Sequence, residues 1–211
     1  MRISALLLCF LLATPAQAAW TGIGAFVIDG ESDWKLGNET LENDFSQYGL
    51  RVEEKTEVNL RIGGSAGVFD LKFLGTTGVP PYEKYEGQFV SFYLRWPEQL
   101  SDRIRLHSLF NYAYYLGHQP EDQDTEISWT EISLELGISA QLGRFSLRPF
   151  VEYRYLDGDI TGPTSARLLE LDKQSSSGLI VDYYIEPTAF LRMRLSSGAY
   201  RSFTLSLARE F

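Results

Sequence analysis

Along this chain apolar and polar residues alternate with period two. From 103 to 116 the odd positions carry Arg103, Arg105, His107, Leu109 and Asn111, and the even ones Ile104, Leu106, Ser108, Phe110, Tyr112, Tyr114 and Leu116. A strand points successive side chains to opposite faces, so such a segment has one wet side and one greasy, aromatic-tipped side. Ten stretches share the pattern: 20–28, 45–53, 56–69, 87–96, 103–116, 127–142, 145–156, 175–185, 188–196 and 200–211. Repeated around a closed sheet, the alternation predicts an all-β fold, a transmembrane antiparallel up-and-down barrel with an apolar exterior and a polar lumen.

The connections are expected to alternate in length. Short turns fall at Glu53-Glu54-Lys55, Pro97 to Asp102, Gly143-Arg144 and Glu186-Pro187, and longer polar segments at 29–44, 70–86, 117–126 and 157–174. Short periplasmic turns, long outer loops and periplasmic termini give this rhythm. The tight Ser197-Gly198-Ala199 breaks it and leaves eight strands as the alternative to ten.

On the expected lipid face lie Tyr48, Leu50, Val52, Val58, Leu60, Ile62, Val90, Phe92, Leu94 and Trp96. It continues with Ile132, Leu134, Leu136, Ile138, Leu147, Val151, Tyr153, Tyr155, Leu179, Val181, Tyr183 and Ile185. Leu191, Met193, Leu195, Phe203, Leu205 and Leu207 close it, with Arg209 as its one ionisable group, near the periplasmic end. Trp20, Trp96 and strand-end tyrosines suit the interfacial girdles. The opposite parity carries Arg51, Arg61, Arg95, Arg103, Arg105, Arg148, Arg154, Arg192 and Arg194 against Glu53, Glu57, Glu131, Glu135, Glu152, Asp182 and Glu210. A lone charge in a narrow lumen is expensive, so these groups are expected to pair.

Residues 1–18 read as a secretory signal: Arg2, an apolar run from Ala5 to Ala13, and the small-x-small site Ala16-Gln17-Ala18. The barrel is then expected to occupy 19–211, which is 211 − 18 = 193 residues. Its apolar run is too short for a membrane helix, and no later segment offers the roughly 20 apolar residues that a spanning helix needs. The single cysteine, Cys9, sits inside the signal behind Leu8, where a lipoprotein acceptor would want a small residue, so disulfides and cysteine metal sites are not expected. Net charge is −9, or −9 − 1 = −10 once Arg2 is removed, which excludes a generic nucleic-acid binder. The mean hydropathy of −0.15 fits strands that are half polar by design.

The export signal, the alternating strands and a last strand Ser202-Phe203-Thr204-Leu205-Ser206-Leu207-Ala208-Arg209-Glu210-Phe211 resemble the small outer-membrane β-barrel superfamily of Gram-negative bacteria, whose familiar members are the OmpA membrane domain and OmpX. Glu152-Tyr153-Arg154-Tyr155 before Asp157-Gly158 is similar to strand ends of such barrels. The resemblance implies a cell outer membrane location, contact with outer-membrane lipid and lipopolysaccharide, and a terminal aromatic, here Phe211, read by the barrel-assembly machinery as the assembly signal. A ten-strand count departs from the eight of those two members, and a peptidoglycan-anchoring function is not expected.

Candidate chemistry is sparse. The charges Arg51, Arg61, Arg95, Arg105, Glu131, Glu135, Arg148, Glu152, Arg154, Asp182, Arg192 and Arg194 form either an ion-paired filling, as in most small barrels, or the lining of a narrow gated pore. His107 and Ser108 point to opposite faces, so they cannot form a nucleophile–base pair. His118 with Glu121, Asp122 and Asp124 gives an omptin-like protease reading that lacks a second surface histidine. The acidic Asp29-Gly30-Glu31-Ser32-Asp33, with Glu39, Glu42 and Asp44, lacks calcium-loop spacing and reads as a soluble, mobile rim. Gly63, Gly64 and Gly67 form no phosphate cradle, since no helix follows, and are expected to give curvature or lumen room.

No catalytic residue, cofactor or metal is expected, and the chain is read as a non-enzyme. The leading expectation is a structural or surface-interaction barrel whose acidic outer loops carry specificity. The alternative is a narrow channel for small solutes or ions. A lipid hydrolase or protease follows, and a soluble lipocalin-like carrier, which would need the opposite parity, comes last.

Overall fold

The computed structural model describes residues 21–37, 39–74, 83–120, 124–162 and 166–211. The expected signal segment, Trp20, Glu121 and Asp122 lie outside them. The strand segments are β1 (Thr21–Leu36), β2 (Glu39–Lys55), β3 (Arg61–Leu74), β4 (Glu83–Gln99), β5 (Ile104–His118), β6 (Glu126–Leu142), β7 (Phe145–Thr161), β8 (Ala166–Leu171), β9 (Ser175–Glu186), β10 (Ala189–Gly198) and β11 (Tyr200–Glu210). Every pairing is antiparallel, and β11 pairs with β1 to close the barrel.

These eleven segments make ten staves, because β8 and β9 run successively along β7. Tyr153 faces Ser175 and Asp157 faces Glu170, so four steps on β7 meet five on the other side. The extra residue is a bulge. It reverses parity, so Leu169 and Leu171 of β8 and Ser176 and Ile180 of β9 are all buried inside.

The β10–β11 hairpin is short, turning at Gly198 with φ of 111°. Below its tip β1 pairs with β11, from Gly22 opposite Glu210 to Ser32 opposite Tyr200. Above the tip β1 changes partner, and Trp34 to Leu36 pair with Leu171 to Leu169 of β8. Ten staves therefore become eight past the hairpin. The seam is bonded: Ala199 N–H donates to the Ser175 carbonyl at 2.9 Å, Asp172 N–H to the Asp33 carbonyl at 3.0 Å, and Gly37 N–H to the Leu168 carbonyl at 3.1 Å. The tight turn that left the strand count open is the point where the two counts meet.

Both described termini lie at the end with the short turns, which in this architecture faces the periplasm. Four residue placements are corrected there. Residues 56–60 are a turn, with Thr56 N–H donating to the Leu60 carbonyl at 2.8 Å and Asn59 at φ 63°. Glu57, Val58 and Leu60 therefore lie in that turn and not on β3. Arg103 lies in the β4–β5 turn, because the strand starts at Ile104.

At the other end the expected long loops are mostly strand. β1 and β2 run through the 29–44 region and turn within it at Gly37, and β3, β4 and β7 extend through Asp70, Lys84 and Asp159. Segments 75–82, 121–123 and 163–165 of those connections lie outside the described residues.

The polarity of the wall inverts along staves that project past the hairpin, as β2 and β6 show. On the lower half of β2, Tyr48, Leu50 and Val52 are exposed, while Arg51 and Glu53 point inward. On its upper half Glu42 is exposed, while Leu41, Asn43 and Phe45 are buried. β6 changes in the same way. Leu134, Leu136 and Ile138 face out over Glu131, Glu135 and Ser139, whereas Glu126 is exposed beside buried Ile127 and Trp129.

The lower half is thus a membrane barrel, apolar outside where it meets hydrocarbon. The upper half is a water-soluble barrel, apolar inside and acidic outside, with its hydrophobic core in the lumen. The expectation of a polar lumen holds only for the lower half.

Candidate functional site

The lower lumen is filled by an ion-pair lattice. Arg61 Nη1 bonds Glu53 at 2.8 Å and Glu210 at 2.5 Å, and Arg95 Nη1 holds the other Glu53 oxygen at 3.1 Å. Arg192 grips Asp182 with two bonds, at 2.6 and 2.9 Å. Higher up, Arg194 pairs with Glu135 and, at 3.1 Å, with Glu152. Arg154 reaches Glu131 at 3.2 Å and Glu152 at 3.1 Å. All of these groups come from inward positions, so the alternation of the strands is what brings them together.

Three of the candidate residues stand apart. Arg105 lies exposed at the lower rim, where its Nε donates to Gln99 at 2.6 Å. Arg51 and Arg148 make no ion pair within 4 Å among the described residues. The Nε of each is buried without a hydrogen-bond partner. Arg51 instead lies 4.8 Å from the ring centre of Phe26.

Above the lattice an aromatic cluster closes the lumen. Trp129 stacks on Tyr115 with centroids 4.3 Å apart and planes 5° from parallel. It also packs edge-on against Phe69 at 4.9 Å and Trp34 at 5.2 Å. Phe45, Leu71, Phe73, Tyr85, Ile127 and Leu169 complete the layer, Leu71 and Leu169 being 0 % exposed. Such pairs contribute about 0.5–1.5 kcal/mol each beyond area burial.

Room for the rings comes from glycines at inward positions, Gly49 opposite Gly67 and Gly87 opposite Gly117. A Cβ on Gly117 would lie 2.8 Å from Phe69 Cζ, and one on Gly67 2.8 Å from Phe89 Cε1. Gly63 makes the same kind of room for Tyr93, whereas Gly64 faces outward. The plug was missed in the sequence, although five strands announce it: the parity of the apolar residues reverses near residues 47, 69, 89, 130 and 156.

Outside, where the apolar belt gives way to charge, there is an open groove of about 650 Å³. Arg201, Glu31, Asp44, Lys72 and Lys84 form one row across β11 to β4, above Tyr48, Leu195 and Phe203. Arg201 pairs with Glu42 at 2.7 Å and Glu31 at 3.4 Å. The Lys84 amine, hydrogen-bonded to Glu86 and 3.6 Å from Asp70, is held above its usual range.

The remaining sequence candidates are dispersed. His107 Nε2 lies 2.7 Å from Ser139 Oγ across the strand pair, and its Nδ1 has no partner among the described residues. Ser108 Oγ donates to the Trp96 carbonyl at 3.4 Å on the outer side. His118 ends β5, exposed. Asp29, Glu31 and Asp33 lie on β1 as part of the outer wall, so the acidic segment is strand and not a mobile rim. No group of three or more potential metal ligands occurs among the described residues. Phe211 is exposed on the lipid-facing parity at the lower rim, with the Arg209 guanidinium 5.6 Å from its ring centre.

No family model matches the sequence, and no curated protein matches it. Solved structures do. An outer membrane channel from Pseudomonas putida F1 superposes with a TM-score of 0.55 at 9% identity, over 91% of this chain and 95% of that one. The outer membrane protease OmpT of Escherichia coli gives 0.51 at 10% identity, over 94% and 99%. The beta domain of the Bordetella autotransporter BrkA gives 0.51 at 10% identity, over 90% and 99%. A channel, a protease and an autotransporter domain share one scaffold, so the likeness speaks for the fold and for no activity. With its apolar belt, its closed antiparallel wall and these neighbours, the chain has the fold of the transmembrane β-barrels found among outer-membrane proteins.

Proposed function

We propose that this barrel is a closed, non-conducting outer-membrane protein with a structural or surface-interaction role, and that it is not an enzyme. The observation that carries the reading is the aromatic layer around Trp129, which occupies the lumen where ions would have to pass. A channel needs a continuous wet path, and here the ionic lattice ends beneath a dry core of packed rings. Enzymatic readings gain nothing from the geometry: the His107–Ser139 contact has no carboxylate behind Nδ1 to orient the ring.

The projecting half supplies the interaction surface. Its acid-rich wall rises above the bilayer, and the groove with Lys72, Lys84 and Arg201 sits at the level of lipid headgroups. Lipopolysaccharide phosphates and sugars suit that row of mixed charge, while Tyr48, Leu195 and Phe203 lie against the acyl chains beneath. Phe211 serves as the feature read by the barrel-assembly machinery.

The test is single-channel recording in planar bilayers, with folding checked by the heat-dependent shift in gel mobility. The wild type is expected to be silent. The Phe69→Ala/Trp129→Ala variant is expected to give discrete steps once the plug is hollowed. Steady wild-type steps that change with Arg194→Ala would overturn the reading in favour of a narrow channel.

A further inference from the structure

The lower lumen carries more positive charge than its acids balance. Its inward arginines are Arg51, Arg61, Arg95, Arg148, Arg154, Arg192 and Arg194, seven in all, against six carboxylates, Glu53, Glu131, Glu135, Glu152, Asp182 and Glu210. Every carboxylate is taken by Arg61, Arg95, Arg154, Arg192 or Arg194. Arg51 and Arg148 are left over, and Arg148 is only 5% exposed. The Nε of each is buried without a hydrogen-bond partner and neither guanidinium has a carboxylate within 4 Å among the described residues, a costly arrangement that an anion would offset.

Arg148 lies on β7 opposite Ile180, whose other neighbour is Arg194. Arg51 lines one cleft together with Arg95 and Arg192, so three guanidiniums face the same part of the lumen. Their acids are committed: Glu53 is shared by Arg61 and Arg95, and Asp182 is held by both bonds of Arg192. The cleft opens beside Gly22 at the lower mouth, its charged lining including Arg51, Arg95 and Arg192 and the carboxylates Glu53 and Glu210 already held by Arg61, with about 20 Å³ of room. That is enough for one guest of water size and too little for phosphate or a carboxylate-bearing solute.

We infer that this cleft is a binding site for one monatomic anion, a halide such as chloride, reached from the periplasmic mouth. The anion balances the surplus positive charge, and Arg51, Arg95 and Arg192 surround it while Arg148 adds its field from deeper in the lumen. A single water of the same size fits the room but leaves the charge unbalanced. The site lies below the aromatic plug, so it is a blind pocket and not part of a conduction path.

The experiment uses the full mature chain refolded in detergent, with thermal unfolding followed in sodium chloride and in sodium gluconate at equal ionic strength. The midpoint is expected to rise saturably with chloride, by about 3–5 °C at ten times the half-saturating concentration. Arg51→Met is expected to abolish the chloride effect and to unfold higher than wild type in gluconate, because it removes an unbalanced cation. Should that variant not fold, crystals of the wild type grown in bromide supply the second measurement, with an anomalous peak expected between Arg51, Arg95 and Arg192. Equal midpoints in the two salts, or bromide found only at surface arginines, would overturn the inference and leave water as the occupant.

Discussion

The guanidinium of Arg154 lies 4.3 Å from the centre of the Tyr200 ring while it holds Glu131 and Glu152. One residue thus joins the ionic layer of the lumen to the aromatic layer above it. Arg194 also stacks on a lumen ring, 3.9 Å from the ring centre of Phe150, while paired with Glu135 and Glu152. Guanidinium is the cation that can do this, because its flat face stacks on rings while its edge donates in plane.

Glu131 has Arg154 as its one ion-pair partner among the described residues and is buried. Arg154→Met is therefore expected to leave a stranded carboxylate and to cost about 3–5 kcal/mol in urea unfolding of the refolded barrel. The double variant Arg154→Met/Glu131→Gln is expected to regain most of that loss. A single variant within about 1 kcal/mol of wild type would show that the pair carries no such weight.

Leu134 and Glu135 are neighbours on β6 with opposite surroundings: Leu134 is 54% exposed on the lipid belt, and Glu135 is buried against Arg194. Leu134→Arg places a charge in hydrocarbon, at about 2–4 kcal/mol near the midplane, and is expected to block insertion into vesicles. Glu135→Gln is expected to insert, since Glu152 still holds Arg194, but to unfold at lower urea. Equal insertion of the two variants would contradict the assignment of faces.

The glycines under the plug give a third expectation. Gly117→Val pushes a branched side chain into the space of the Phe69 ring, which already lies 2.8 Å from an ideal Cβ. It is expected to destabilise the projecting half by about 1–3 kcal/mol. Hydrogen exchange is expected to show lost protection at Ile127 and Trp129 and retained protection at Leu134 and Leu136. Uniform loss, or none, would argue against two separately packed halves.

Removal of Phe211 is expected to slow assembly into vesicles carrying the barrel-assembly machinery without changing unassisted folding in detergent. Unchanged assisted kinetics would remove the role from that residue.

The alternation of Leu50, Arg51, Val52 and Glu53 makes the membrane half legible from sequence, because lipid and lumen impose opposite demands on adjacent residues. The staves and their closure follow from it. The projecting half was harder to read, because Glu42-Asn43-Asp44 and Asp157-Gly158-Asp159 have the composition of loops. Their strand character rests on single inward residues such as Phe45, Leu156 and Ile160, spaced by two and of the sign opposite to the membrane pattern. The partnering of Arg51 and Arg148 was beyond reach altogether. Parity tells which way a side chain points, whereas pairing depends on shear and on the β8–β9 bulge, which no periodicity reports.

The inversion of polarity along a stave is most directly tested by spin labels. With Cys9 the one cysteine of the whole chain and inside the expected signal, single cysteines can be placed at 42, 44, 46, 48, 50 and 52 on the outer face of β2. In vesicles, labels at 48, 50 and 52 are expected to relax through collisions with oxygen dissolved in lipid. Those at 42 and 44 are expected to relax through a water-soluble nickel complex, with the switch near 46. A single regime from 42 to 52, whether lipid or water, would contradict a barrel that is membrane-type below and water-soluble above.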